Sequence, residues 1–154
     1  MKIKTIVAAF VLAILTFAAY GQTTPRTVEF TKIRDHLDEY VKRPGQRLIV
    51  PNVPLTGQSV YDKVNRVFSL RAGDRSDYGY YYYFYTSPTL EKSLRQRLES
   101  SGEVSVVLYC TLVEFVDGDY VNQSPFITKV EAFDNDAKLV WTVAGPPPVK
   151  LKMQ

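Results

Sequence analysis

The chain has 154 residues, 19 basic against 16 acidic, one cysteine and 45% hydrophobic content. This composition suits one globular domain and gives no strong global charge to attract nucleic acid. A single cysteine excludes an intramolecular disulfide framework, so burial alone has to hold the core. No Gly-rich phosphate loop, G-x-S-x-G elbow, H-E-x-x-H or C-x-x-C occurs, so no catalytic, metal-binding or cofactor-binding residue is nominated and a non-catalytic protein is expected.

Lys2 and Lys4 precede an apolar run from Ile6 to Ala19, interrupted only by Thr16 and short of the ~20 residues of a spanning helix. Ala19-Tyr20-Gly21 then supplies small residues at the −3 and −1 positions of a signal-peptidase site. Residues 1–21 are therefore expected to be a cleaved signal peptide, leaving a periplasmic or secreted chain of about 133 residues with no membrane span. Lys2 and Lys4 leave with it, so 19 basic and 16 acidic residues become 17 and 16, a net charge of +1. Lipid anchoring would need a cysteine at the new terminus, and the single cysteine is Cys110.

After a linker at 22–29, a single domain is expected over 30–144. Ile33, Leu37, Tyr40 and Val41 form the stripe of an amphipathic helix ended by Pro44-Gly45, with Asp38/Lys42 and Glu39/Arg43 as acid-first pairs on its solvated face. Leu48, Val50, Val53 and Leu55 lead to Thr56-Gly57 as a bent or edge-exposed first strand, because Pro51 and Pro54 deny it full pairing. Arg66–Arg71 and Tyr80–Thr86 flank the turn cluster Gly73–Asp77 and predict a hairpin.

Ser87-Pro88 caps a helix whose stripe is Leu90, Leu94 and Leu98 and which ends at Gly102. Val104, Val106, Leu108, Cys110 and Leu112 then alternate along an extended strand, expected to coil around a barrel. A loop begins at Asp117-Gly118-Asp119, Phe126–Phe133 is a further strand, and Asn135-Asp136 turns the chain into Lys138–Val143. Residues 145–154 form a basic tail whose Gly145-Pro146-Pro147-Pro148 favours polyproline II.

A strand, a hairpin of two strands, a helix, a long strand and another strand follow in the order of an OB-fold. The helix ending near Tyr40-Val41, the strand closing on Leu55-Thr56-Gly57, Val67-Phe68-Ser69-Leu70-Arg71, and Ser124-Pro125-Phe126 opening the last strand toward Val130-Glu131 also resemble OB-fold domains, over roughly Phe30–Phe133. The resemblance implies a mainly β protein: a five-stranded, partly open OB-like barrel with a helix between strands 3 and 4, an N-terminal helix and an extra C-terminal hairpin strand. It also implies ligand binding on the second and third strands, here the outward residues of Arg66–Arg71 and Tyr80–Tyr85, flanked by loops near Gln58–Lys63 and Asp117–Gln123. Two prolines in the first strand and the extra hairpin to Trp141 depart from that pattern.

The most unusual feature is Tyr78, Tyr80, Tyr81, Tyr82, Tyr83, Phe84 and Tyr85, aromatics on both faces of one strand. Phe84 has no polar group, so Tyr80, Tyr82 and Phe84 are placed inward and Tyr81, Tyr83 and Tyr85 outward. The outward tyrosines, with Arg71 and Arg75 nearby, are the candidate ligand-binding residues. Aromatic planes stack on sugars, bases or partner side chains at little rotamer cost. The same residues also suit packing beneath another element or against a second subunit.

His36 has no partner histidine or cysteine for a metal or a nucleophile, and Cys110 falls on the apolar parity of its strand as an inert thiol. Asp117/Asp119 and Asp134/Asp136 lack the further spaced ligands of a calcium loop and are expected to shape turns. Asn122-Gln123-Ser124 matches a glycosylation sequon, discounted because it matters only in a eukaryotic secretory pathway and Pro125 follows it.

The function expected is an exported binding module for a protein, peptide or glycan. Two alternatives stay open: single-stranded nucleic-acid binding, disfavoured by the charge balance, and an assembly role with the aromatic strand at a homo-oligomer interface.

Overall fold

The computed structural model describes residues 24–40, 44–73, 81–117 and 120–148. The expected signal peptide, Tyr78, Tyr80, Arg75 and the end of the basic tail lie outside them. The elements are β1 (Arg26–Thr27), α1 (Phe30–Tyr40), β2 (Arg47–Val50), β3 (Leu55–Asp62), β4 (Val67–Ala72), β5 (Tyr82–Thr86), α2 (Pro88–Ser100), β6 (Ser105–Asp117), β7 (Tyr120–Phe133) and β8 (Leu139–Ala144).

The strands form one open mixed sheet in the order β1-β2-β6-β7-β5-β4-β3, with β8 also paired to β7. This overturns the five-stranded OB-like barrel. The stretch Gln46–Gly57, expected as one bent strand, is two. Between Pro51 and Pro54, Asn52 takes a left-handed backbone (φ 53°), and proline supplies no ladder donor. The first half, β2, pairs antiparallel with β6. The second half, β3, pairs antiparallel with β4. The two halves therefore stand near opposite margins of the sheet, and closure would require those margins to meet.

The flanking regions differ too. Gln58–Lys63 and Asp117–Gln123, expected as binding loops, are largely strand. The first belongs mostly to β3. The second belongs to the β6–β7 hairpin, whose ladder runs from Ser105↔Phe133 to Asp117↔Tyr120. β6 does not coil around a barrel; it pairs with β2 on one side and β7 on the other. Arg26–Thr27, within the expected linker, pairs parallel to β2, and Val28 enters the core.

Other local expectations hold. β4 and β5 form the antiparallel hairpin. The Ser87 side chain accepts the Leu90 N–H at 3.2 Å, with Pro88 in the first turn of α2. The alternating residues of β6 point Val106, Leu108, Cys110 and Leu112 into one core. Asp134 Oδ1 accepts the N–H groups of Asp136 and Lys138 and so shapes the β7–β8 turn.

Both helices contribute to the same core. Phe30 and Ile33 from α1 and Leu90 and Leu94 from α2 join Leu48, Leu70, Phe84, Leu108, Ile127 and Val130 from the strands. Each fully buried side chain of this kind stabilises the fold by roughly 1.5–3 kcal/mol.

One edge of β7 serves two partners. β5 pairs parallel at Phe126 and Ile127 and then leaves into α2; β8 takes over antiparallel from Lys129 to Phe133. Gly145 closes the junction: its N–H donates to Thr128 O at 2.9 Å, and a Cβ there would lie 2.8 Å from Leu90 Cβ and 2.9 Å from Ser87 Oγ. At the far end of α2, Trp141 Nε1 donates to Ser101 Oγ at 2.7 Å and fastens β8 to the helix.

Candidate functional site

The face of the sheet opposite the helices carries the sequence-nominated residues. The antiparallel register places Arg71 beside Tyr83 and Ser69 beside Tyr85. The inward placement of Phe84 and Tyr82 holds: Phe84 is fully buried, Tyr82 packs against the main core, and their rings meet edge-on at 5.1 Å. Burial pushes the Tyr82 phenol well above the ordinary tyrosine range.

The outward tyrosines are not equivalent. Tyr83 is 47% exposed. Tyr81 lies under the Arg71 guanidinium, 3.1 Å from ring centroid to Cζ, a cation–π stack. Arg71 Nη1 donates to Gln58 Oε1 at 2.7 Å, the Arg71 carbonyl accepts from Thr56 Oγ1 at 3.2 Å, and Arg71 Nε is buried without a hydrogen-bond partner. Tyr85 packs against a small cluster of Val67, Val113 and Phe126 on this face. Its phenol is pushed up, first by burial and then by the charges of Asp62 and Tyr83. The structure therefore brings Arg71, Tyr81 and Tyr83 together as an accessible group and gives Tyr85 mainly to packing.

Three residues missed in the sequence continue the same face. Tyr109 Oη donates to Glu131 Oε2 at 2.6 Å, Lys129 Nζ donates to Glu131 Oε1 at 2.8 Å, and Lys129 sits 3.6 Å over the Tyr109 ring. The Glu131 carboxyl is held below its ordinary range, first by Lys129 and then by Tyr109; the Tyr109 phenol is pushed up chiefly by its bond to Glu131. Their signal was the parity of β6 for Tyr109 and of β7 for Lys129 and Glu131, because residues alternating with a buried set must share the opposite face.

On the helix side, β3, β4 and α2 enclose a cleft of ≈ 250 Å³ walled by Leu55, Leu70, Leu94 and Leu98. At its polar end Glu91, almost fully buried, accepts from Ser59 Oγ at 2.8 Å and from Arg95 Nε at 3.0 Å; Arg95 Nη2 reaches Ser59 Oγ at 2.8 Å. Glu91 and Arg95 stand at i, i+4 on α2 in the acid-first order. The sequence shows that pair but not the strand serine that completes it.

Cys110 is buried and its thiol is pushed well up by desolvation. Among the described residues no group of three or more His, Cys, Asp or Glu could hold a metal ion, and no helix is long and apolar enough to cross a membrane. No protein family, curated protein or solved structure matches the chain.

Proposed function

We propose that this chain is a non-catalytic binding module that docks a polypeptide partner on the helix-free face of its sheet, around Tyr83, Tyr81 and Arg71. The observation that carries the reading is the exposed Tyr83 ring beside the Arg71–Tyr81 stack. Tyrosine and arginine are the side chains enriched where protein interfaces gain most of their energy. A strand-borne tyrosine loses little rotamer freedom when it is covered. The Tyr109–Glu131–Lys129 group adds hydrogen-bonding capacity on the same face, farther along β7. Single-stranded nucleic-acid binding loses the barrel on which it rested.

Panning a displayed library of random peptides against the folded chain is expected to yield binders whose affinity falls about tenfold with Tyr83→Ala or Arg71→Ala. A library with no Tyr83-sensitive binder removes the reading. Tyr83-dependent capture on a glycan array, with no peptide selected, moves the ligand class to sugars. Sedimentation across a concentration range tests the special case of a second copy as partner: a dimer abolished by Tyr83→Ala makes this face a subunit interface.

A further inference from the structure

The cleft on the opposite side of the sheet is a second site, although Gln58 and Arg71 border both it and the tyrosine face. A leucine-lined cavity of ~150 Å³ holds one benzene ring. At ≈ 250 Å³ this cleft has room for a fused pair of rings or a short alkyl chain. It is open to solvent between a helix and a strand, at a place where the ladder is broken. The β3–β4 register shifts between Leu55 and Ser59, and Gly57 in that interval has a left-handed backbone, φ 75°. Such bulges end regular pairing and recur beside binding and active sites.

Charge at the polar end selects among ligands. The Glu91 carboxylate is engaged by the Arg95 guanidinium and the Ser59 hydroxyl; of the other charged residues at the lining, Glu99 is exposed to water and the Arg71 guanidinium is turned to Gln58 and Tyr81. The polar end of the cleft therefore presents hydrogen-bonding groups whose opposite charges already compensate each other. An anionic or cationic head group entering it would give up hydration and find no uncompensated counter-charge. A hydroxyl or amide head would keep its hydrogen bonds at Glu91 or at Arg95, whose side chain is 53% exposed.

We propose that this cleft binds a small neutral amphiphile, with one or two rings or a short alkyl chain against the leucines and a hydroxyl or amide head at the Glu91–Arg95 pair.

The test uses N-phenyl-1-naphthylamine, a neutral dye that brightens in apolar surroundings, titrated with the whole chain. Saturable one-to-one binding is expected, displaced by 1-octanol but about tenfold less well by octanoate and by octylamine. Leu98→Trp fills the cleft and is expected to weaken dye binding about tenfold, whereas Tyr83→Ala leaves it unchanged. A thermal melt checks that Leu98→Trp still folds; if it does not, Glu99→Trp at the exposed rim takes its place. No saturable binding, or binding undiminished in the folded filling variant, overturns the site. Displacement by octanoate or octylamine as strong as by octanol overturns the neutral class of ligand.

Discussion

The two faces of the sheet use the same strands for opposite purposes. On the helix side, β4 to β7 present Leu70, Phe84, Leu108 and Ile127, which touch one another and the two helices. On the other side they present Arg71, Tyr83, Tyr109 and Lys129, which are paired in small polar–aromatic groups and keep contact with water. Neighbouring residues in β5 illustrate the contrast: Phe84 is fully buried and Tyr83 is 47% exposed. Stability is concentrated on one side of a single layer, and the other side is free to vary for recognition.

The sharpest break of this comparison is the pair Phe84→Ala and Tyr83→Ala. Deleting the Phe84 ring should cost roughly 3–5 kcal/mol, from lost burial and the cavity left behind, whereas Tyr83→Ala should stay within about 0.5 kcal/mol. Urea midpoints measure both, and equal losses would erase the distinction between the faces.

Next in size is Gly145→Ala. A new Cβ 2.8 Å from Leu90 Cβ must displace the start of α2 from the sheet, at about 1–3 kcal/mol. Gly102→Ala is the control, because nothing lies within 4 Å of its added carbon. A melting temperature lowered for Gly145→Ala and unchanged for Gly102→Ala is expected.

The smallest effect belongs to the helix-free face and depends on pH. The Glu131 carboxyl titrates lower in the folded chain than in the unfolded one because Lys129 and Tyr109 hydrogen-bond its charged form. Its contribution is therefore complete above the unfolded carboxyl range near ~4.3 and is lost as pH falls through the lower folded value. Partial exposure of both partners keeps this below about 1 kcal/mol. Glu131→Gln should flatten that part of the acid dependence of the urea midpoint; an unchanged slope would show that the pair contributes nothing.

Where each residue points along a strand was readable from a period of two, and this placed Phe84, Leu108 and Cys110 in the core before any pairing was known. Ser87-Pro88 marked its helix by the same kind of local chemistry. Which strands become neighbours was not readable, because partner choice depends on packing and chain closure across long separations. Pro51 and Pro54 looked like defects within one strand, yet they separate β2 from β3 and send them toward opposite margins. The candidate sites divide in the same way. The tyrosine run was visible as composition, but Arg71 over Tyr81 needed the β4–β5 register, and Ser59 beside Glu91 joins residues on an edge strand and a helix.

The split edge of β7 has a consequence for the order in which the protein assembles. A chain is made from its N-terminus, and β3, β4 and β5 can pair among themselves as soon as they exist. β1 and β2 dock on β6, however, while β5 joins the rest of the sheet only through β7. The two early segments thus have no direct pairing with each other and wait for the β6–β7 hairpin to join them. Until then each presents apolar strand edges, so the last third of the chain closes the most aggregation-prone interval of folding.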